Sequence, residues 1–118
     1  MANMKNLLRE LLRVDGVNAV AVVGRDGFVI EGLAGAGQLD IEAVGAVIST
    51  GIGSSEVMGG ALKVGEMTQA MIEYKEGVIV MGLVTRDAIL ALVADQKANL
   101  GNIRYQLKQR APEIARSL

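Results

Sequence analysis

Two strand-length segments in the C-terminal half are apolar at almost every position, and little more than a dipeptide separates them. Val78 to Val84 reads Val-Ile-Val-Met-Gly-Leu-Val, and Ala88 to Ala94 reads Ala-Ile-Leu-Ala-Leu-Val-Ala, with Arg86-Asp87 as the turn. A turn that tight makes the segments antiparallel neighbours. Strands without a polar face must be covered on both sides. Whatever this chain folds into is therefore layered, with helices above and below a sheet that has these strands at its centre.

The remaining elements fit around that pair. Residues 3–14 read as a helix, because Met4, Leu7, Leu8, Leu11 and Leu12 fall on one stripe while Lys5, Arg9 and Arg13 face out. Asp15-Gly16 stops it. Val17 to Val23 is a strand, Gly24-Arg25-Asp26-Gly27 a hairpin turn and Phe28 to Leu33 the returning strand. The connection Gly35-Ala36-Gly37-Gln38-Leu39 leads to Asp40, an N-cap for a helix that runs to about residue 58 and ends at Gly59-Gly60. Met67 to Tyr74 is a further strand, joined to Val78 through Lys75-Glu76-Gly77. The last helix starts near Lys97 or Ala98. Its stripe is Leu100, Ile103, Leu107, Ala111, Ile114 and Leu118, with a kink or restart expected at Pro112.

This gives αββαβββα, an α/β (α+β) fold with a five-stranded antiparallel sheet. Val17–Val23 shares the all-apolar character of the two central strands. Phe28–Leu33 carries Glu31, and Met67–Tyr74 carries Gln69 and Glu73, as edge strands do. Joining hairpin neighbours with those two outermost gives the order 2-1-5-4-3. The middle helix covers one face and the terminal helices the other. With 118 residues, the whole chain (1–118) is expected to form one domain.

The middle helix has too few places to hide its side chains. At about 100° per residue, Ile41, Val44, Ile48 and Ile52 form one stripe, an ordinary contact with the sheet. Ala43, Val47, Thr50, Ser54 and Met58 form a second stripe of small and apolar residues. Glu42, Ser49, Gly53 and Glu56 form a third, polar face. A helix on the outside of a monomer needs only one buried stripe. Gly45, Gly51 and Gly53 lie inside the helix, each at a cost of about 0.5–1 kcal/mol relative to Ala. The expected compensation is close approach by another backbone, so the second stripe reads as a surface that packs against another chain.

Composition limits the chemistry. The chain has no Cys and no His, hence no disulfide, no thiol nucleophile, no imidazole base and no Cys- or His-ligated metal. Lys plus Arg number 12 against 13 Asp plus Glu, and only 3% of residues are aromatic. Nucleic acid is a poor partner for such a surface. No apolar run approaches the ~20 residues of a membrane helix, and Lys5, Arg9 and Glu10 interrupt any signal-peptide pattern at the N-terminus. The expectations are no cofactor, no metal, no membrane insertion and a cytoplasmic location. Gly32-Leu33-Ala34-Gly35-Ala36-Gly37 lacks the Gly-Lys-Ser/Thr ending of a phosphate loop and the G-x-G-x-x-G spacing. It reads as a link. Asp26, Asp87 and Asp95 lie at turns or element ends, with nothing to pair them as acid and base, and Arg25 and Arg86 read as solvated turn residues.

Several of these features coincide with a known pattern: the element order, Val17-Asn18-Ala19-Val20 running into Gly24-Arg25-Asp26-Gly27, the Gly- and Ser-rich middle helix, and Ala98-Asn99-Leu100-Gly101-Asn102-Ile103-Arg104. In these the whole chain resembles the Roadblock-type dynein light chain family, which includes the bacterial MglB-like small-GTPase regulators. The resemblance implies a homodimer or related heterodimer with the two middle helices antiparallel and the two sheets joined at an edge strand. The residues leave both edges open; the resemblance selects Met67–Tyr74, adding Met67, Gln69, Met71 and Glu73 to the interface of Ala43, Val47, Thr50, Ser54 and Met58. It also implies a small Ras-like GTPase as partner, met by the polar face of Glu42, Ser49, Gly53 and Glu56.

Three functions follow as expectations. The first is a non-enzymatic homodimeric regulator or scaffold that binds a small GTPase and can modulate its hydrolysis. Next comes a structural dimerisation subunit that links larger complexes without a GTPase. A profilin-like or PAS-like small-ligand sensor is third, and the scarcity of aromatics counts against it.

Overall fold

The computed structural model describes residues 3–35 and 39–118. Its elements are α1 (Met4–Leu12), β1 (Val17–Gly24), β2 (Val29–Ala34), α2 (Ile41–Ala61), β3 (Gln69–Tyr74), β4 (Gly77–Thr85), β5 (Ala88–Asp95) and α3 (Leu100–Ser117). The strands form one antiparallel sheet in the order β2-β1-β5-β4-β3, as the polarity of the strands requires. Residues 36–38 of the Gly-rich link, and with them part of the Gly32–Gly37 segment, lie outside the described residues.

Each sheet face has its own core. On one, Leu7, Leu8 and Leu11 of α1 and Ile103, Leu107 and Ile114 of α3 pack on alternate residues of the central strands, among them Val20, Val22, Val80, Leu90 and Leu92. On the other, Val44, Ile48 and Ile52 of α2 meet Met81, Ile89 and Ala91. The pairing register Ala21↔Ala91 and Val80↔Leu92 places these residues in line across the sheet. Central strands buried on both faces thus get the cover their composition demands.

The helix ends show how local chemistry sets the boundaries. Asn3, Asp40 and Asn99 each cap a helix by accepting from a backbone N–H in its first turn. Gly16 (φ +88°) turns the chain after α1. Three expectations need correction. The middle helix does not stop at Gly59-Gly60 but runs to Ala61, because the stop is supplied by Lys63 in the left-handed region (φ 60°). Its amide donates to the Gly60 carbonyl and that of Val64 to Gly59, the paired bonds of a Schellman cap. Gly59 serves a different purpose, since a Cβ there would lie 2.6 Å from the Gly65 carbonyl oxygen as the chain folds back. The last helix also does not restart at Pro112 but is one helix from Leu100 to Ser117. Pro112 is on its exposed side, where water can satisfy the carbonyl that lacks an N–H. Leu118, expected to complete the buried stripe of α3, is 52% exposed.

Candidate interaction surface

On α2 the sheet-facing stripe and the small, apolar stripe separate, with Ile41 only half-buried at the start of the helix. Val44, Ile48 and Ile52 are buried. Ala43, Val47, Thr50, Ser54 and Met58 are all exposed, and Val57 widens the strip. Val47 and Met58 leave 59% of their surface in water and Val57 leaves 71%. The Thr50 hydroxyl donates to the Ala46 carbonyl at 3.1 Å, so its polar atom is satisfied within its own helix. Beside this strip, at the N-terminal end of α2, an open apolar depression of about 350 Å³ is bordered by Leu39, Ala43, Val47 and Ile79.

The polar face is less uniform than its composition. Glu42 and Gly53 are exposed, but Ser49 and Glu56 are half-buried and turned to the β1–β2 hairpin. Ser49 Oγ donates to the Arg25 carbonyl at 2.5 Å. The Arg25 guanidinium donates from both terminal nitrogens to the Glu56 carboxylate, at 2.5 and 2.8 Å, and from Nε to the Arg86 carbonyl. Arg25 is therefore no solvated turn residue. It ties the β1–β2 turn, the β4–β5 turn and α2 into one cluster, and its charge is already spoken for by Glu56. The sequence holds no local signal for this pair, whose members are 31 positions apart.

Glycines explain how the hairpin can come so close. A Cβ at Gly45 would collide with the Gly27 carbonyl oxygen and lie 2.9 Å from Val29 Cγ2. The close backbone approach expected at this position is real, but it comes from the chain's own hairpin. At Gly51 the neighbour is the flexible end of Met81, 3.2 Å from the missing Cβ; at Gly53 nothing lies within 4 Å. A second chain remains the expected compensation only at Gly53.

The hydrogen bond to Arg25 holds the Glu56 carboxyl below the usual glutamate range, and the same bond raises Arg25. A carboxylate whose folded pKa is depressed contributes above its unfolded value, and the contribution disappears as pH falls through the folded one. Protection of the Arg25 side-chain N–H groups against hydrogen exchange, taken relative to free arginine at the same pH, should accordingly persist at neutral pH and be lost only on acidification past the ordinary glutamate value. Both side chains are about one-third exposed, so raising the salt should loosen the clamp as well. Protection that ignores both pH and salt would show that the cluster is held by packing instead.

At the far edge of the sheet, β3 pairs with β4 alone among the described residues. The four residues assigned to the pairing edge do not share one environment. Met67 precedes β3 and packs on the α2 side, Met71 packs on the α1/α3 side, and Glu73 is exposed. Gln69 Oε1 accepts from Arg104 Nε at 3.1 Å. What the edge offers another strand is its unpaired backbone, with Ile72 and Tyr74 partly exposed beside it.

The Roadblock/LC7 domain family profile matches residues 4–94. The chain belongs to the Roadblock/LC7 domain family. A Methanocaldococcus jannaschii relative, uncharacterized protein MJ0714, is 38% identical over 108 residues, covering 92% of this chain and 90% of the relative. Among solved structures, the gliding protein MglB of Thermus thermophilus superposes with a TM-score of 0.86 at 18% identity, covering 95% of this chain and 85% of MglB. An MglB structure described as having a tetrameric arrangement gives 0.87 at 19% identity, with the same coverage. At those identities the likeness is one of fold. Across this Roadblock/LC7 domain, the described residues contain no helix long and apolar enough to cross a membrane.

Proposed function

We propose that this chain is a single-domain, non-enzymatic, cytoplasmic homodimer that regulates or scaffolds a small Ras-like GTPase. The observation that carries the reading is the outward face of α2, where an apolar strip about four turns long has no partner among the described residues. Soluble monomers seldom leave such a strip open.

The strip is self-complementary about its middle. An antiparallel pair of α2 helices centred between Thr50 and Gly51 sets Ala43 against Met58 of the second copy and Val47 against Ser54. Large side chains at one end then meet small ones at the other, and Met58 has the apolar depression beside Ala43 and Val47 to enter. A two-fold interface requires this kind of matching, because each patch must fit itself. The tetrameric arrangement of one MglB supports self-association as a habit of the fold. Edge-to-edge pairing of β3, with Met67, Gln69, Met71 and Glu73 around it, would extend the contact.

With the apolar strip used for pairing, the adjoining side of α2 is left for the GTPase. Glu42 would touch it directly and Gly53 would lie at the seam where the GTPase meets the paired helices; Ser49 and Glu56 would hold the hairpin that flanks them. The test is affinity capture of a small Ras-like GTPase encoded beside this gene. Binding should be at least ~10-fold tighter when the GTPase carries a GTP analogue than when it carries GDP. Glu42→Lys should weaken capture by about 10-fold, near 1.4 kcal/mol, without changing the oligomeric state. A dimer that captures no GTPase in either state would leave the linking-subunit role in its place.

A further inference from the structure

On the opposite face of the sheet from α2, an open groove of about 430 Å³ runs between α3 and the β3–β4 edge. Two glycines keep it open. A Cβ at Gly101 would meet only Asn99 Oδ1, at 3.5 Å, and one at Gly82 would have the Thr68 carbonyl at 3.4 Å and Gln69 beyond it. The buried side chains Leu90 and Leu107 lie at the bottom of the groove, and Arg104, Tyr105 and Lys108 line it from α3.

The charges of this groove are unbalanced. Helix α3 carries four of the chain's 12 Lys and Arg but one of its 13 Asp and Glu, so it is the basic face of an otherwise acidic molecule. Arg110 is answered by Glu10 at 3.1 Å and Glu113 at 3.3 Å. Among the described residues no carboxylate pairs with Arg104 or Lys108. Arg104 is instead pinned over β3 by its Nε bond to Gln69, which leaves the terminal nitrogens of the guanidinium to face the groove's mouth or solvent. A cation held in place by a neutral partner is prepared for an acid that arrives from elsewhere. Tyr105, 59% exposed, adds the kind of rigid amphipathic side chain that anchors interfaces.

We propose that this groove binds an acidic segment of a partner protein, with an apolar side chain of the segment over Leu90 and Leu107 and its carboxylates on Arg104 and Lys108. The concave shape favours a peptide over an anionic membrane, because the apolar atoms are recessed between α3 and the sheet. Two free cations are too few for a nucleic-acid track in a chain of net charge −1. The site is on the other side of the sheet from the α2 strip and does not depend on the GTPase reading.

A short fluorescein-labelled peptide alternating acidic residues with leucine serves as the probe, with fluorescence anisotropy as the readout. Saturable binding is expected, weakening as salt rises. Combining Arg104→Glu with Lys108→Glu should reduce the affinity by at least ~10-fold. Gly101→Leu fills the groove without altering charge and favours the helix, so it should abolish binding in a protein that is still folded. The proposal is overturned by absence of saturable binding, by equal binding of a peptide with Lys in place of its acids, or by unchanged affinity in Gly101→Leu. Equal binding of a peptide with Ser in place of Leu would reduce the groove to an anion site. Phosphatidylserine vesicles that bind where the peptide does not would make it a membrane contact. Either result also overturns the proposal.

Discussion

Val47→Asp is expected to turn the proposed dimer into a monomer, with self-association weakened by about three orders of magnitude or more. Val47 leaves 59% of its surface exposed in the single chain, so the substitution costs the fold little. Across a two-fold axis the change occurs twice, and each carboxylate would be buried against apolar side chains with no cation to answer it. Leaving a charge buried and unpaired costs roughly 3–5 kcal/mol; even half of that, counted twice, reaches about 4 kcal/mol, or 1,000-fold. Sedimentation velocity at micromolar concentration checks it. Wild-type protein should run as a dimer and Val47→Asp as a monomer with an unchanged circular dichroism spectrum. A wild-type monomer would remove the basis of the proposed function. A Val47→Asp dimer would move the interface elsewhere.

The absence of cysteine makes the helix register directly testable. With Ala43→Cys and Met58→Cys in one chain, mild oxidation should give a covalent dimer, whereas Ala43→Cys alone should not. In a parallel arrangement Ala43→Cys alone would cross-link as well, because each Cys would then face its own copy. Cross-linking therefore separates a wrong register from a missing dimer.

How much of this was legible beforehand depended on the range of the interaction. Strand order could be read because polarity is local: Glu31, Gln69 and Glu73 mark their strands as edges, and runs such as Val78–Val84 mark theirs as central. The three stripes of α2 could be read because helical periodicity is local too. The Arg25–Glu56 clamp could not. It joins a turn to a helix 31 positions away, and either residue alone looks like ordinary surface. Nor could the purpose of the α2 glycines, since Gly45 and Gly53 are equivalent in composition and opposite in environment. The helix ends erred for a related reason. Gly59-Gly60 resembles a stop, but Gly59 is needed for a contact with Gly65, and Lys63 makes the terminal turn.

That difference between the two glycines gives the second large effect. Gly45→Val should destabilise the protein by about 3 kcal/mol, the upper part of the overpacking range. Any Cβ there runs into the Gly27 carbonyl, and the neighbouring contact is Val29. The turn has little room to retreat, because Gly27 is at φ +92° and the adjacent Arg25 is bound through its carbonyl to Ser49 and through its side chain to Glu56 and Arg86. For a chain of this size the loss should lower Tm by roughly 10 °C or more, readable by thermal denaturation of the monomeric Val47→Asp background. In that same background Gly53→Ala should act in the opposite direction. It meets nothing within 4 Å and gains helix propensity worth about 0.5–1 kcal/mol. With Val47 restored, the added methyl lies beside the proposed partner helix and should weaken the dimer. A substitution that stabilises the single chain and loosens the pair is the signature of a glycine kept for another backbone. If Gly53→Ala leaves the dimer as tight as before, Gly53 is exposed in the assembly as well, and the two helices approach along Ala43, Val47 and Thr50 without it.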